Sequence, residues 1–194
     1  MKIRFWFSTI NASVDLLWKA LTWLGLVGAL TMASLSDSLV RHLLESRYIA
    51  SLATKNPDGS THMVAVWYWF DGAHIYIATS KRTRKARNLQ STPKVSLMID
   101  SRDPAASCGI NIVGTAQILT GEPSRKWNGR VHAKYLSEAA LADPRVGPVF
   151  ASWDDVTIQI TPASVIAWDM READRQVFGS AFESNPAYLL PLER

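Results

Sequence analysis

The sequence predicts a mainly β (α+β) domain, an antiparallel barrel with a few flanking helices. Short strand-like runs follow one another through tight turns, helical patterns occupy only a few joints, and the first three runs leave no room for crossover helices. A parallel α/β sheet needs a crossover of a dozen or more residues between most strand pairs, so hairpin-linked strands closing on themselves fit better.

The elements follow in order. Ser36 and Asp37 precede Leu39, Val40, Leu43 and Leu44, an N-cap followed by an apolar stripe at helical spacing, so a short helix to about Ser46 is expected. Residues 48–54 read as the first strand. Asn56, Pro57, Asp58 and Gly59 form a turn in which Pro57 presets φ and Gly59 accepts positive φ. Residues 61–70, rich in β-branched and aromatic side chains, read as one strand, and Asp71-Gly72 as a two-residue hairpin loop. Residues 73–79 form the third strand. A helix over 85–90 is stopped by Pro93. Strands are expected over 94–100 and 109–119, with Gly114 marking a bulge or bend. Residues 122–142 read as one helix, and two last strands, 156–160 and 164–170, are separated by Thr161-Pro162.

The most informative stretch runs from Thr79 to Arg87. Two hydroxyl residues, Thr79 and Ser80, precede five cations within seven positions. A strand end, a hydroxyl-rich turn and a helix start suit a phosphate, because backbone N–H groups point outward there and the helix dipole favours an anion. Arg84 can fork two phosphate oxygens, and Lys85 acts as a point charge. The expected order of importance is Arg84, then Lys85, then Arg82 on the solvent side. A solvated basic face or a nucleic-acid patch is the alternative. Placement between two strand-like runs favours a small anionic ligand, so no nucleic-acid partner is expected.

The 194 residues suffice for one domain with a real core. Net charge is +4, concentrated in that basic stretch. Cys108 is the lone cysteine, which excludes an intrachain disulfide and reads as an inert thiol. The four histidines, His42, His62, His74 and His132, lack metal-ligand spacing, so no metal is expected. No glycine-rich dinucleotide fingerprint, Walker loop or nucleophile elbow is present. Asp154-Asp155 is an acid pair that reads first as an exposed turn, and Trp67, Trp69, Trp127, Trp153 and Trp168 are candidates to wall a pocket. No catalytic constellation is identified.

Residues 1–33 differ from the rest, with an apolar run from 16 to 33 interrupted by Lys19. They are read as an anchor or signal, an amphipathic surface helix, or translation upstream of a start at Met32. A domain over 36–170 and a polar tail over 171–194 complete the expected layout. A cytoplasmic location follows if residues 1–33 are not an anchor, and membrane association if they are.

Taken as an ordered set, Ala53-Thr-Lys-Asn-Pro-Asp-Gly-Ser60, Val64-Ala-Val-Trp-Tyr-Trp69, Ile77-Ala-Thr-Ser80, Thr83-Arg-Lys-Ala-Arg-Asn-Leu89, Pro93-Lys-Val-Ser-Leu97 and Val113-Gly-Thr-Ala116 resemble the pyridoxamine 5′-phosphate oxidase-like, flavin-binding split β-barrel superfamily. The likeness spans about Leu43 to Trp168. It implies a split antiparallel β-barrel and a homodimer with cofactor at the subunit interface. The aromatic stretch Trp67-Tyr-Trp-Phe70, more apolar than a monomer's solvent face normally is, points to the same homodimer. It further implies that Met63, Val64, Ala65 and Val66 lie against a flavin ring, and that Thr79, Ser80, Arg84 and Lys85 hold its phosphate. FMN is the implied cofactor, with the deazaflavin coenzyme F-420 as the alternative. The implied activity is hydride transfer to or from a small molecule; a non-catalytic flavin carrier is the other reading. The vitamin B6 oxidase pattern has Arg and Lys where this chain has Met63 and Tyr68, and it ends in an Arg-x-His motif that this chain lacks, so oxidation of pyridoxamine phosphate itself is not expected.

Overall fold

The computed structural model describes residues 31–103 and 107–190. The expectations for residues 1–30 lie outside the described residues. The chain divides into two compact units. The larger holds 32–102 and 109–167 and carries the barrel.

Its sheet is built from β1 (Thr31–Ala33), β2 (Ala50–Lys55), β3 (Thr61–Val66), β4 (Trp69–Phe70), β5 (Ile75–Thr79), β6 (Lys94–Asp100), β7 (Cys108–Leu119) and β8 (Val156–Asp169). The spatial order is β3-β2-β6-β7-β8-β5-β4, with β1 also on β8. The β2–β3, β2–β6, β6–β7, β5–β8 and β4–β5 ladders are antiparallel. Helices α1 (Ser38–Glu45), α2 (Arg84–Ser91), α3 (Gly121–Tyr135), α4 (Glu138–Ala142) and α5 (Gly147–Trp153) accompany it. Among the described residues no helix is long and apolar enough to cross a membrane.

The sequence suggests one strand over 61–70, but the chain breaks at Trp67 and Tyr68. This break makes the barrel. Strands β3 and β4 are consecutive in sequence yet lie at opposite edges of the sheet order. Three Cα steps separate Val66 from Trp69, a reach of roughly 11 Å. The sheet therefore curls until its two edges nearly meet. The break has a side-chain cause. Tyr68 turns inward, fully buried, and its hydroxyl donates to the Leu43 carbonyl at 2.5 Å, at the end of α1. Trp67 stacks on Tyr135 (5.0 Å between centroids, 5° between planes) and on Phe150.

Other boundaries shift for local reasons. The hairpin after β4 is longer than two residues, because the Asp71 carboxylate accepts from the N–H groups of Ala73 (2.9 Å) and His74 (2.7 Å) and holds the turn open. Gly72 takes φ +103° there, and Gly59 takes +87° in the β2–β3 turn. The helix expected over 122–142 is two: α3 ends before Leu136, and Ser137 caps α4 by accepting from Ala140 N–H. β8 runs unbroken through Pro162, because β5 pairs only with residues 156–160 and Pro162 lies past its end, where the missing N–H disturbs no β5 bond.

The core is apolar and continuous across the strands: Leu52, Ile77, Leu97, Ile99, Ile110, Ile112, Ile158 and Ile160 are fully buried. Cys108, at the start of β7, is buried too. Gly114 sits in β7 where a Cβ would come within 2.4 Å of the Thr161 carbonyl oxygen on β8. That oxygen is backbone and cannot swing aside. Gly114→Ala is therefore expected to destabilise the fold by about 1–3 kcal/mol, the range for overpacking; urea denaturation checks it, and an unchanged midpoint would mean the strands part freely.

The smaller unit includes residues 168–190. Residues expected as a polar tail carry α6 (Met170–Val177), α7 (Ala181–Ser184) and a 3-10 turn (Pro186–Tyr188). Asp169 caps α6, its carboxylate accepting from Arg171 N–H at 3.0 Å.

Candidate functional site

The turn from β5 into α2 is held by its own hydroxyls. The Thr83 side chain caps α2, accepting from Ala86 N–H. Its hydroxyl donates to the Ser80 carbonyl at 2.8 Å and lies 3.2 Å from the Thr79 hydroxyl. Asp155 accepts from the N–H of Lys81 at 2.7 Å and pairs with the Lys81 ammonium at 3.8 Å. Within α2, buried Asn88 donates to Thr54 Oγ1 (3.1 Å) and Asn56 Oδ1 (3.0 Å), pinning the helix to the end of β2. The first turn of α2 contains cations and no acid. Cations there oppose the helix dipole, an arrangement an anion would relieve.

Two clefts of about 500 Å³ each meet at this turn and share Ala78, Lys85 and Asp154. The polar cleft adds Thr79, Ser80, Arg82 and Thr83 on one side, with Ser152, Trp153 and Asp155 on the other. The apolar one adds Ile49, Ala65, Val66 and Trp67 on one side, with Val131 and Phe150 on the other. Trp67, one of its lining residues, is locked between ring partners by its stacking on Tyr135 and Phe150.

Lys85 stands at the junction. Burial lowers the pKa of its ammonium, and the charge of Asp154 pulls it back up. It forms no hydrogen bond or ion pair among the described residues. Asp154 is itself held: Nε2–H of buried His132 donates to its Oδ2 at 2.8 Å. Its carbonyl accepts from Asn128 Nδ2 at 2.7 Å. Asn128 also donates to the Val156 carbonyl (3.2 Å) and accepts from the Thr157 hydroxyl (2.6 Å). Thr157 lies 3.0 Å from the Ser124 carbonyl. Ser124, Asn128 and His132 recur every four residues, so α3 buries a polar stripe against residues 154–157. The sequence signal for it was that spacing, which apolar periodicity alone passes over.

The sequence-derived site residues therefore divide. Thr79, Ser80, Lys85, Ala65 and Val66 come together around the two clefts. Arg84 and Val64 line neither. The Arg84 side chain is exposed, and its charge is felt by Asp58 in the β2–β3 turn. Met63 is 65% exposed. Arg82, expected on the solvent side, lines the polar cleft. Asp154, read first as part of an exposed turn, lines both.

A sheet whose edges are tied by two residues, with a basic turn at the rim, is the split-barrel class. The chain belongs to the pyridoxamine 5′-phosphate oxidase family, whose model matches residues 37–169. Among solved structures, a conserved hypothetical protein of Mycobacterium tuberculosis is 22% identical with a TM-score of 0.60, covering 84% of this chain and 93% of that one. An F-420 reductase is 23% identical with a TM-score of 0.52, covering 64% of this chain and 94% of its own. A FAD-binding protein of Mesorhizobium loti is 17% identical with a TM-score of 0.53, covering 72% and 97%. At these identities the likeness is one of fold. No protein of curated function matches the sequence.

Proposed function

We propose that the chain is a flavin-binding oxidoreductase that holds FMN in the joined clefts and transfers hydride to or from a small molecule. The carrying observation is Lys85: a half-buried cation without an internal partner, at the first turn of a helix that has cations where acids would suit the dipole. A phosphate there would meet the Lys85 ammonium, the turn hydroxyls and the backbone N–H groups of Arg84 and Lys85, with the Arg84 and Arg82 side chains near its rim. The N–H groups of Lys81, Arg82, Thr83, Ala86 and Arg87 are already bonded. A flat ring would lie in the apolar cleft lined by Trp67, Ala65 and Val66. Bound flavin supplies the redox chemistry; the chain supplies position, charge and exclusion of water.

We also propose a homodimer, on a different surface from the aromatic stretch 67–70. Within that stretch Tyr68 and Phe70 are buried in their own chain and Trp67 is stacked on Tyr135 and Phe150. The exposed apolar side chains Met63, Met98 and Val113 instead share one outer face of β3, β6 and β7 with Ala53 and Ala65 of β2 and β3. A second copy is the partner such a face fits, its small and flexible apolar side chains interleaved with Ser51, Ser96 and Asn111. It would also bring Met63 toward a cofactor held between copies.

The test is titration of apo-protein with FMN and with coenzyme F-420, followed by absorption and calorimetry. Tight, stoichiometric FMN binding is expected. Tighter binding of F-420 would exchange the cofactor, and binding of neither would overturn the reading. Turnover of the bound flavin with a panel of small hydride donors and acceptors separates an enzyme from a carrier.

A further inference from the structure

A third cleft lies between α1, β4 and α3, with a volume of about 510 Å³. It shares no lining residue with the two clefts at the β5–α2 turn. Helix α3 divides them, presenting Val131 to one side and Lys126, Trp127, Arg130 and Lys134 to the other. The volume falls within the range of small-ligand pockets, roughly 300–1,000 Å³.

Its walls are flat and fixed. Trp127 stacks on Tyr76 at 3.8 Å between centroids, 10° from parallel. Arg130 lies over the Trp69 ring at 5.8 Å and the Lys126 ammonium over the Trp127 ring at 4.9 Å, so each indole carries a cation on an exposed side chain that a bound anion would draw off its face. Charge is unbalanced. Of the two lining carboxylates, Glu45 is paired with Arg41. Asp71 is taken up by its turn and by the Tyr76 hydroxyl, which donates to it at 2.8 Å. Lys126 and Arg130 have no carboxylate partner among the described residues. Lys134 is half-buried at the back, donating to the Leu44 carbonyl at 3.0 Å. Burial draws its ammonium down to about 8 against the pull of Glu45, so it is still a cation at neutral pH.

We propose that this cleft is a second binding site, selective for a small aromatic anion: a planar ring against the two indoles, with a carboxylate or sulfonate facing Lys126 and Arg130. A ring alone would lack the charge-assisted bonds, and a small inorganic anion alone would lack the stacking area.

Calorimetric titration of the full chain with naphthoate tests it, with naphthylmethanol as the ring without charge and inorganic phosphate as the charge without ring. Naphthoate is expected to bind at least about tenfold more tightly than either, and added salt should weaken it. Lys126→Ala and Arg130→Ala should each weaken it by about tenfold, as expected for loss of a bond between charged groups. Both side chains are exposed, so the variants should fold as the parent does, which circular dichroism checks. Saturating FMN should leave naphthoate binding unchanged. Naphthoate binding no tighter than either control, unchanged binding in both variants, or displacement by FMN would overturn the proposal. The outcome is independent of whether FMN binds at the other clefts.

Discussion

Asn128→Leu is expected to lower stability by about 3 kcal/mol or more, from the loss of several buried hydrogen bonds. Leucine keeps asparagine's branching and heavy-atom count, with bulkier methyl ends, but provides no donor and no acceptor. The Asp154 and Val156 carbonyls would lose their donor, and the Thr157 hydroxyl would lose its closest acceptor. Asn128 is 3% exposed and Thr157 fully buried, so water cannot readily replace the lost bonds. Each orphaned buried group costs about 1–3 kcal/mol, against a total stability of about 5–15 kcal/mol for a domain. Calorimetric melting should fall by about 6–12 °C, using about 2–4 °C per kcal/mol for a chain of this size. Arg125→Gln, on the exposed face of the same helix, is the control and should leave melting nearly unchanged. A drop below about 1 kcal/mol for Asn128→Leu would show that the carbonyls find other partners at no cost. FMN affinity should fall with stability in this variant, because Asp154 is fixed to α3 through its backbone as well as through His132.

Local chemistry was the legible part of the fold. The Asn56–Gly59 turn needed only Pro57 and Gly59 in the right order, and both glycine positions flagged as turns have positive φ. The strand over residues 94–100 is bounded by Pro93 and by charge, and its bounds appear as read. Decisions made by distant partners were not legible. The break at Trp67 and Tyr68 depends on Tyr135, Phe150 and the carbonyl of Leu43. Nothing within residues 61–70 announces it. Pro162 looked like a strand end because its ladder partner could not be known; in the sheet, β5 stops short of it. At the site, the hydroxyl turn and its basic helix were visible as composition. Which cations face inward was not, since α2 turns about 100° per residue and adjacent Arg84 and Lys85 must point apart. Asp154 was hidden for a related reason. Its place in the clefts is set by His132 and Asn128, 22 and 26 residues earlier in the chain.

Lys85→Met is expected to separate binding from stability. The side chain keeps much of its length and apolar stem but loses the ammonium. If FMN phosphate sits in the polar cleft, the variant loses a charge-assisted bond worth roughly 1.5–3 kcal/mol, about a ten- to hundred-fold loss in affinity. The apo-protein should be no less stable than the parent, and more stable if anything. Burial already opposes the charge of Lys85, and no internal partner compensates it beyond the field of Asp154. Methionine removes that desolvation cost, the pattern of a site held at the expense of stability. Among the other cations, Arg84→Ala should cost less than Lys85→Met, because Arg84 lines neither cleft. Arg82→Ala should likewise cost less than Lys85→Met, because Arg82 lines the polar cleft but its side chain is exposed at the mouth. Lys81→Ala should cost least, since Lys81 is paired with Asp155 on the surface. Titrating each variant with FMN at two salt concentrations, beside thermal melts of the apo forms, gives both readouts. Equal small losses at all four positions that shrink together in salt would reveal a diffuse basic surface. A loss at Arg84 exceeding that at Lys85 would move the phosphate out of the cleft and onto the exposed start of α2.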